Sequence, residues 1–180
     1  MRETKKLTVS AMVVALGVLF MTLGAVFSVL DLSCAVLASL LVSFVYIEIG
    51  SPYTWCVWLA TSLLSFVLFP GSLMWLVYLA VFGIFPIIKG YIERLPRWCW
   101  LIIKLAFLNA MLTLLVLFSE ALVGQSFFGD ISDIPLAPTV VYIALWILMN
   151  IAFVLYDRMI VVLVLFYEKR LRPRFKNLLK

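Results

Sequence analysis

Two sets of polar residues interrupt long apolar stretches in the C-terminal half of the chain, and their spacing is helical. From Asn109, Thr113 and Glu120 lie four and eleven residues on, which returns to nearly the same angle at about 3.6 residues per turn. Tyr142, Trp146, Asn150 and Asp157 follow one another at steps of four, four and seven and form a second stripe. What these residue types offer is recognition: amide donors and acceptors, an aromatic wall and an acid. Ligand pockets have that make-up, mostly apolar with a few placed polar groups. Each residue also has a plainer use. Asn and Thr often only hydrogen-bond between membrane helices, each bond contributing about 0.6 kcal/mol on average, and Trp and Tyr near helix ends anchor to the interface.

Residues for catalysis are missing. The chain has no His, which removes a His general base and most zinc or haem sites. It has no G-x-x-x-x-G-K-[ST] loop, so any ATP-driven step must come from a partner. G-x-S-x-G, H-E-x-x-H and the paired intramembrane aspartates of a protease are absent as well. Three scattered cysteines, Cys34, Cys56 and Cys99, give neither a disulfide framework nor a metal spacing; they read as small apolar packing residues. The expectation is a protein that is not an enzyme and takes no cofactor and no metal.

The elements that must position the two stripes follow from composition. The chain is 66% hydrophobic and 13% charged, with mean hydropathy +1.20, against about 45–50% apolar and about 25% charged in soluble domains. This much apolar surface needs lipid around it, so the chain is expected to be one integral membrane domain over residues 1–180. A spanning helix takes about 20 mostly apolar residues, and six segments qualify: 7–30, 32–49, 53–69, 73–88, 98–123 and 138–167. The first follows a short basic opening, as a secretory signal does, but its apolar run is far longer than the roughly 7–15 residues of a signal. The sixth, at about 1.5 Å per residue, is about 45 Å long against a hydrocarbon core of about 30 Å. It is expected to tilt or to continue as an interfacial helix before Arg172-Pro173-Arg174.

Orientation comes from the basic residues. Of fourteen Lys and Arg, twelve fall in three clusters: Arg2, Lys5 and Lys6; Lys89, Arg94 and Arg97; and Lys169 to Lys180. Cations stay in cytoplasmic loops, and six crossings with both termini cytoplasmic put all three clusters there. The outer connections, near Asp31, at Pro70-Gly71-Ser72 and over 124–137, then carry no Lys or Arg. The net charge of +5 therefore serves topology and anionic headgroups, and no nucleic-acid partner is expected. Asn109 then lies near mid-membrane and Glu120 near the outer surface, at the mouth of a pocket between the fifth and sixth helices. The connection 124–137, with Phe127-Phe128, Asp130 and Asp133, reads either as a lid or as a loose loop. Asp157 and Arg158, about 100° apart on their helix, read as structural ion pairing or tail anchoring near the inner interface. Lys104 is expected to snorkel inward.

Small residues four apart mark helix contact faces in lipid. The first helix carries Ala11-Met12-Val13-Val14-Ala15, and the second Ala35, Ser39 and Ser43; packing within one bundle is the ordinary use of such patterns. The opening Lys5-Lys6-Leu7-Thr8-Val9-Ser10-Ala11 through Ala15-Leu16-Gly17, with this length and topology, resembles the substrate-binding S component of an energy-coupling factor transporter. The motif covers about the first twenty residues and the topology the whole chain. The resemblance implies that Ala11 and Ala15 face a membrane coupling subunit, that two cytoplasmic ATPases supply energy, and that release requires the S component to tilt. It implies vitamin or small organic solute uptake at the plasma membrane. No signature ties the chain to one vitamin, and the absence of His argues against nickel and cobalt members. In that setting Asn109, Glu120, Tyr142, Trp146 and Asn150 are taken as the substrate-binding residues. The alternative function is a non-transporting membrane scaffold or assembly protein, and the weakest is an intramembrane enzyme.

Overall fold

The computed structural model describes residues 3–123 and 138–172. The described residues form an all-α polytopic fold with six helices long and apolar enough to cross a membrane. They are α1 (Glu3–Val26), α2 (Asp31–Glu48), α3 (Ser51–Leu68), α4 (Met74–Ile92), α5 (Arg97–Val123) and α6 (Pro138–Phe166). A short 3-10 turn, Ser28–Leu30, joins α1 to α2, and a π turn, Tyr167–Leu171, extends α6. The connection 124–137 and its lid reading lie outside the described residues.

Several boundaries move from the positions the sequence implies: the first helix is Glu3–Val26 rather than 7–30, and two other shifts bear on the packing. Gly50-Ser51-Pro52 reads as a stop, yet only Gly50, at φ 107°, breaks the chain; Ser51 and Pro52 already open α3. Proline suits a first helical turn because the N–H it lacks has no partner there. The fourth span does not end at Lys89 but runs on to Ile92. That shift carries Lys89 from a loop into the bundle, where it is buried.

Helix α4 is the hub. Over half of its spanning window is buried, 56%, against 11% for α6, because α4 contributes to both apolar cores. One core joins Val77, Val81 and Phe85 to Leu108, Leu112 and Leu115 of α5 and to Phe153, Tyr156 and Ile160 of α6. The other joins Tyr78 and Ile87 to Val13 and Met21 of α1, Ala35, Ala38 and Val42 of α2, and Val57 of α3. Association in lipid depends on close packing rather than water exclusion, and the α1–α2–α3 side uses small residues for it. Ser39, Ser43, Thr54, Ser62 and Ser65 are buried, and each returns its hydroxyl to a carbonyl three or four residues earlier, so none of these five donors is stranded.

The middle of α4 is irregular for a reason in its sequence. Tyr78–Phe82 is a π turn, closed by the Gly83 N–H donating to the Tyr78 carbonyl at 2.7 Å. Four residues after Phe82 comes Pro86, which has no N–H to give the Phe82 carbonyl. The Tyr156 hydroxyl lies 3.3 Å from that carbonyl and 2.6 Å from Ser39 Oγ. The nearby Leu79 carbonyl accepts from Trp58 Nε1 at 3.1 Å. Side chains from α3 and α6 thus take up the carbonyls that the irregular turn releases.

Both ends of the described chain lie at one end of the bundle. Tyr53, in the first turn of α3, hydrogen-bonds Glu3 at the start of α1, and Arg172, after α6, lies 3.0 Å from Glu48 at the end of α2. This is the end that carries the described members of the basic clusters.

Candidate functional site

Helices α5 and α6 meet through two polar layers. In the first, Asn109 Nδ2 donates to Asn150 Oδ1 at 2.9 Å and to the Leu105 carbonyl at 2.8 Å. Asn109 Oδ1 accepts from Trp146 Nε1 at 2.6 Å and from Asn150 Nδ2 at 3.3 Å. Asn150 Nδ2 also reaches the Trp146 carbonyl at 2.9 Å. The helical spacing anticipated this meeting: Asn109 faces Trp146 and Asn150, three of the five residues read as substrate-binding. What it did not anticipate is that the two amides bond each other, so their polar atoms have protein partners. Thr113 spends its hydroxyl on the Asn109 carbonyl at 2.8 Å. Tyr142 is exposed, and the Glu120 side chain lies outside the described residues.

The second layer lies nearer the basic end and is charged. Lys89 of α4 and Lys104 of α5 are both buried, at 6% and 5% exposure. Lys104 Nζ is 2.9 Å from Asp157 Oδ1 and 3.0 Å from Oδ2. Lys89 Nζ pairs with the same Oδ1 and lies 3.2 Å from the Asp157 carbonyl oxygen. Glu93 completes the group: its Oε1 lies 3.3 Å from Lys89 Nζ and 3.5 Å from Lys104 Nζ. Two cations and two anions balance, as buried charges require. Lys104 therefore does not snorkel out to the interface; Asp157 offers it a closer carboxylate inside the bundle. Arg158 is exposed and takes no part.

The sequence pointed to Asp157 as an ion-pairing residue but missed Lys104, Lys89 and Glu93 as its company. One signal was available. Lys104 and Asp157 lie at membrane depth, and one acid and one base on different helices invite a search for further charges at the same depth. Lys89 escapes that search while the fourth helix is ended at Lys89 rather than Ile92.

Beside the charged layer lies a cavity of about 320 Å³. Its walls come from the last two turns of α2, the end of α4, Trp100 of α5 and residues 160–165 of α6. Apolar side chains dominate, and Lys89 and Glu93 form part of one wall. Gly90 belongs to the same rim because a Cβ there would meet Tyr46 Oη at 2.5 Å. Among the described residues, no three His, Cys, Asp or Glu side chains gather as a metal site would need.

On α1, Ser10, Val13, Gly17, Met21 and Gly24 take the internal contacts, and Ala11 and Ala15 are exposed on another face. Gly17 is where α3 comes closest: a Cβ there would lie 3.1 Å from Thr61 Cγ2. The alanines are thus left over from the packing of this chain. No family model, curated protein or solved structure matches the chain.

Proposed function

We propose that this protein is the solute-capturing membrane subunit of an ATP-driven uptake transporter in the plasma membrane, energised by a membrane coupling subunit and two cytoplasmic ATPases. The observation that carries the reading is the exposure of Ala11 and Ala15 on a helix whose internal contacts are made by other residues. Close helix approach in lipid needs small side chains, and a partner helix is what such a strip can receive. The solute, a small organic molecule with a ring that an indole can stack on, binds on the α5–α6 face around Asn109, Trp146 and Asn150, with Tyr142 and Glu120 towards the outer surface. It exchanges its own hydrogen bonds for those the two amides now make with each other.

A second reading, a non-transporting scaffold, is favoured by one specific observation: Asn109 and Asn150 already satisfy each other. Gentle purification followed by mass spectrometry separates the two. Co-purification of ATPase and coupling subunits with a stoichiometric small molecule supports the transporter. Recovery of a different membrane partner with no small molecule overturns it in favour of the scaffold.

A further inference from the structure

We propose that the cavity at the basic end binds an anionic amphiphile, and that Glu93 holds the place its acidic head takes. The site is separate from the α5–α6 amide layer and does not depend on the transporter reading.

The argument starts from the charges. Asp157 is held tightly: both its carboxylate oxygens and its carbonyl oxygen meet lysine ammonium groups, and its side chain is 16% exposed. Glu93 is held loosely. Only Oε1 takes part, at 3.3 and 3.5 Å, and the side chain is 35% exposed. Glu93 also stands just past the last helical residue of α4, and its partly exposed side chain has room to turn away by rotation about its own bonds. Once it does, two buried ammonium groups face one carboxylate, and the cavity wall carries one unbalanced positive charge. At low dielectric that charge attracts an anion far more strongly than it does in water.

The rest of the cavity says what the anion is attached to. Beside Ser43, Tyr46 and Trp100, most of the remaining wall is Ile47, Pro86, Ile160, Val161, Val164 and Leu165, and these six offer a hydrocarbon chain dispersion contacts and nothing to hydrogen-bond. Its volume of about 320 Å³ falls at the lower end of ligand pockets, about 300–1,000 Å³. A carboxylate or phosphate head on a single apolar chain matches both walls. Two sources share this chemistry: a free fatty acid, and a lysophospholipid of the adjoining leaflet.

The test uses the full chain in phosphatidylcholine nanodiscs, titrated with oleate, oleoyl lysophosphatidate and oleyl alcohol, with binding read by native mass spectrometry. One of the two anions should saturate at one per protein, and oleyl alcohol should bind about tenfold more weakly or worse, a factor of ten being the loss of one modest charge-assisted contact. Tighter oleate binding identifies the free fatty acid; tighter lysophosphatidate binding identifies the leaflet lipid. Glu93→Gln, which removes the competing carboxylate, should tighten the anion about tenfold. Val161→Phe, which fills the cavity from a partly exposed position, should weaken it by a similar factor. Equal binding of oleate and oleyl alcohol, no gain in Glu93→Gln, or no binding of either anion overturns the proposal. If Glu93→Gln does not fold, the ratio of oleate to oleyl alcohol and the loss in Val161→Phe decide it alone.

Discussion

Lys104 of α5 meets both carboxylate oxygens of Asp157 on α6, with Nζ at 2.9 Å from Oδ1 and 3.0 Å from Oδ2. Lys89 of α4 pairs with the same carboxylate, so one acid joins the three helices that build the apolar core around Phe85 and Phe153. Asp157→Asn leaves two buried ammonium groups with Glu93 alone. Removing one partner of a buried pair costs about 3–5 kcal/mol, so the thermal midpoint in detergent should fall sharply. Adding Lys104→Met restores the charge balance and should recover part of the loss. A midpoint unchanged in Asp157→Asn shows that the cluster holds nothing together.

The amide layer lends itself to a double-mutant cycle. Asn109→Leu and Asn150→Leu each remove the bonds between the two amides, while Asn109 keeps the Leu105 carbonyl and Trp146 Nε1, and Asn150 keeps the Trp146 carbonyl. Hydrogen bonds between membrane helices average about 0.6 kcal/mol and reach about 1.7; the coupling measured from unfolding in mixed micelles should lie in that range. A coupling near zero means that each amide finds another partner and that α5 and α6 are not joined through this pair.

Docking through α1 is tested by bulk. Ala11→Leu with Ala15→Leu adds side chain on an exposed face, so the isolated protein should keep its thermal midpoint. Partner recovery in pull-downs should be lost. If the isolated protein unfolds instead, the alanines serve the chain's own packing and the proposed interface is wrong.

Orientation can be read with impermeant thiol reagents on a background lacking Cys34, Cys56 and Cys99. Gly71→Cys lies in an exposed connection where a side chain meets nothing within 4 Å, and Pro96→Cys lies in the exposed connection at the basic end. With the basic end in the cytoplasm, intact cells should label the first and not the second. The reverse pattern inverts the topology.

Glycines on α4 and before it should differ in their tolerance of a methyl group. A Cβ at Gly83 would lie 2.6 Å from Trp58 Cδ1 and 2.9 Å from the Tyr78 carbonyl oxygen, a backbone atom that cannot turn aside. Gly83→Ala should cost about 1–3 kcal/mol, the usual range for overpacking, whereas Gly71→Ala should leave the unfolding midpoint unchanged.

The six spans, their approximate bounds and the same-end placement of the two described chain ends were determined by sequence alone, because hydropathy over about 20 residues and the basic clusters are local properties of the chain. So was the placing of Trp146 and Asn150 on one helical face, since residues at helical spacing share a face whatever that face packs against; that Asn109 meets them is given by the packing of α5 on α6. Tertiary structure alone decided what the faces do. Whether Asn109 waits for a ligand or bonds Asn150 depends on the distance between two helices, and no periodicity within either one carries that distance. Lys89 shows the same limit: its role turns on α4 running three residues further, to Ile92, and on Asp157 standing opposite it. Tyr156 capping the Phe82 carbonyl is the clearest case, for Pro86 announces in the sequence that a carbonyl is released, and only the fold says which helix supplies the donor.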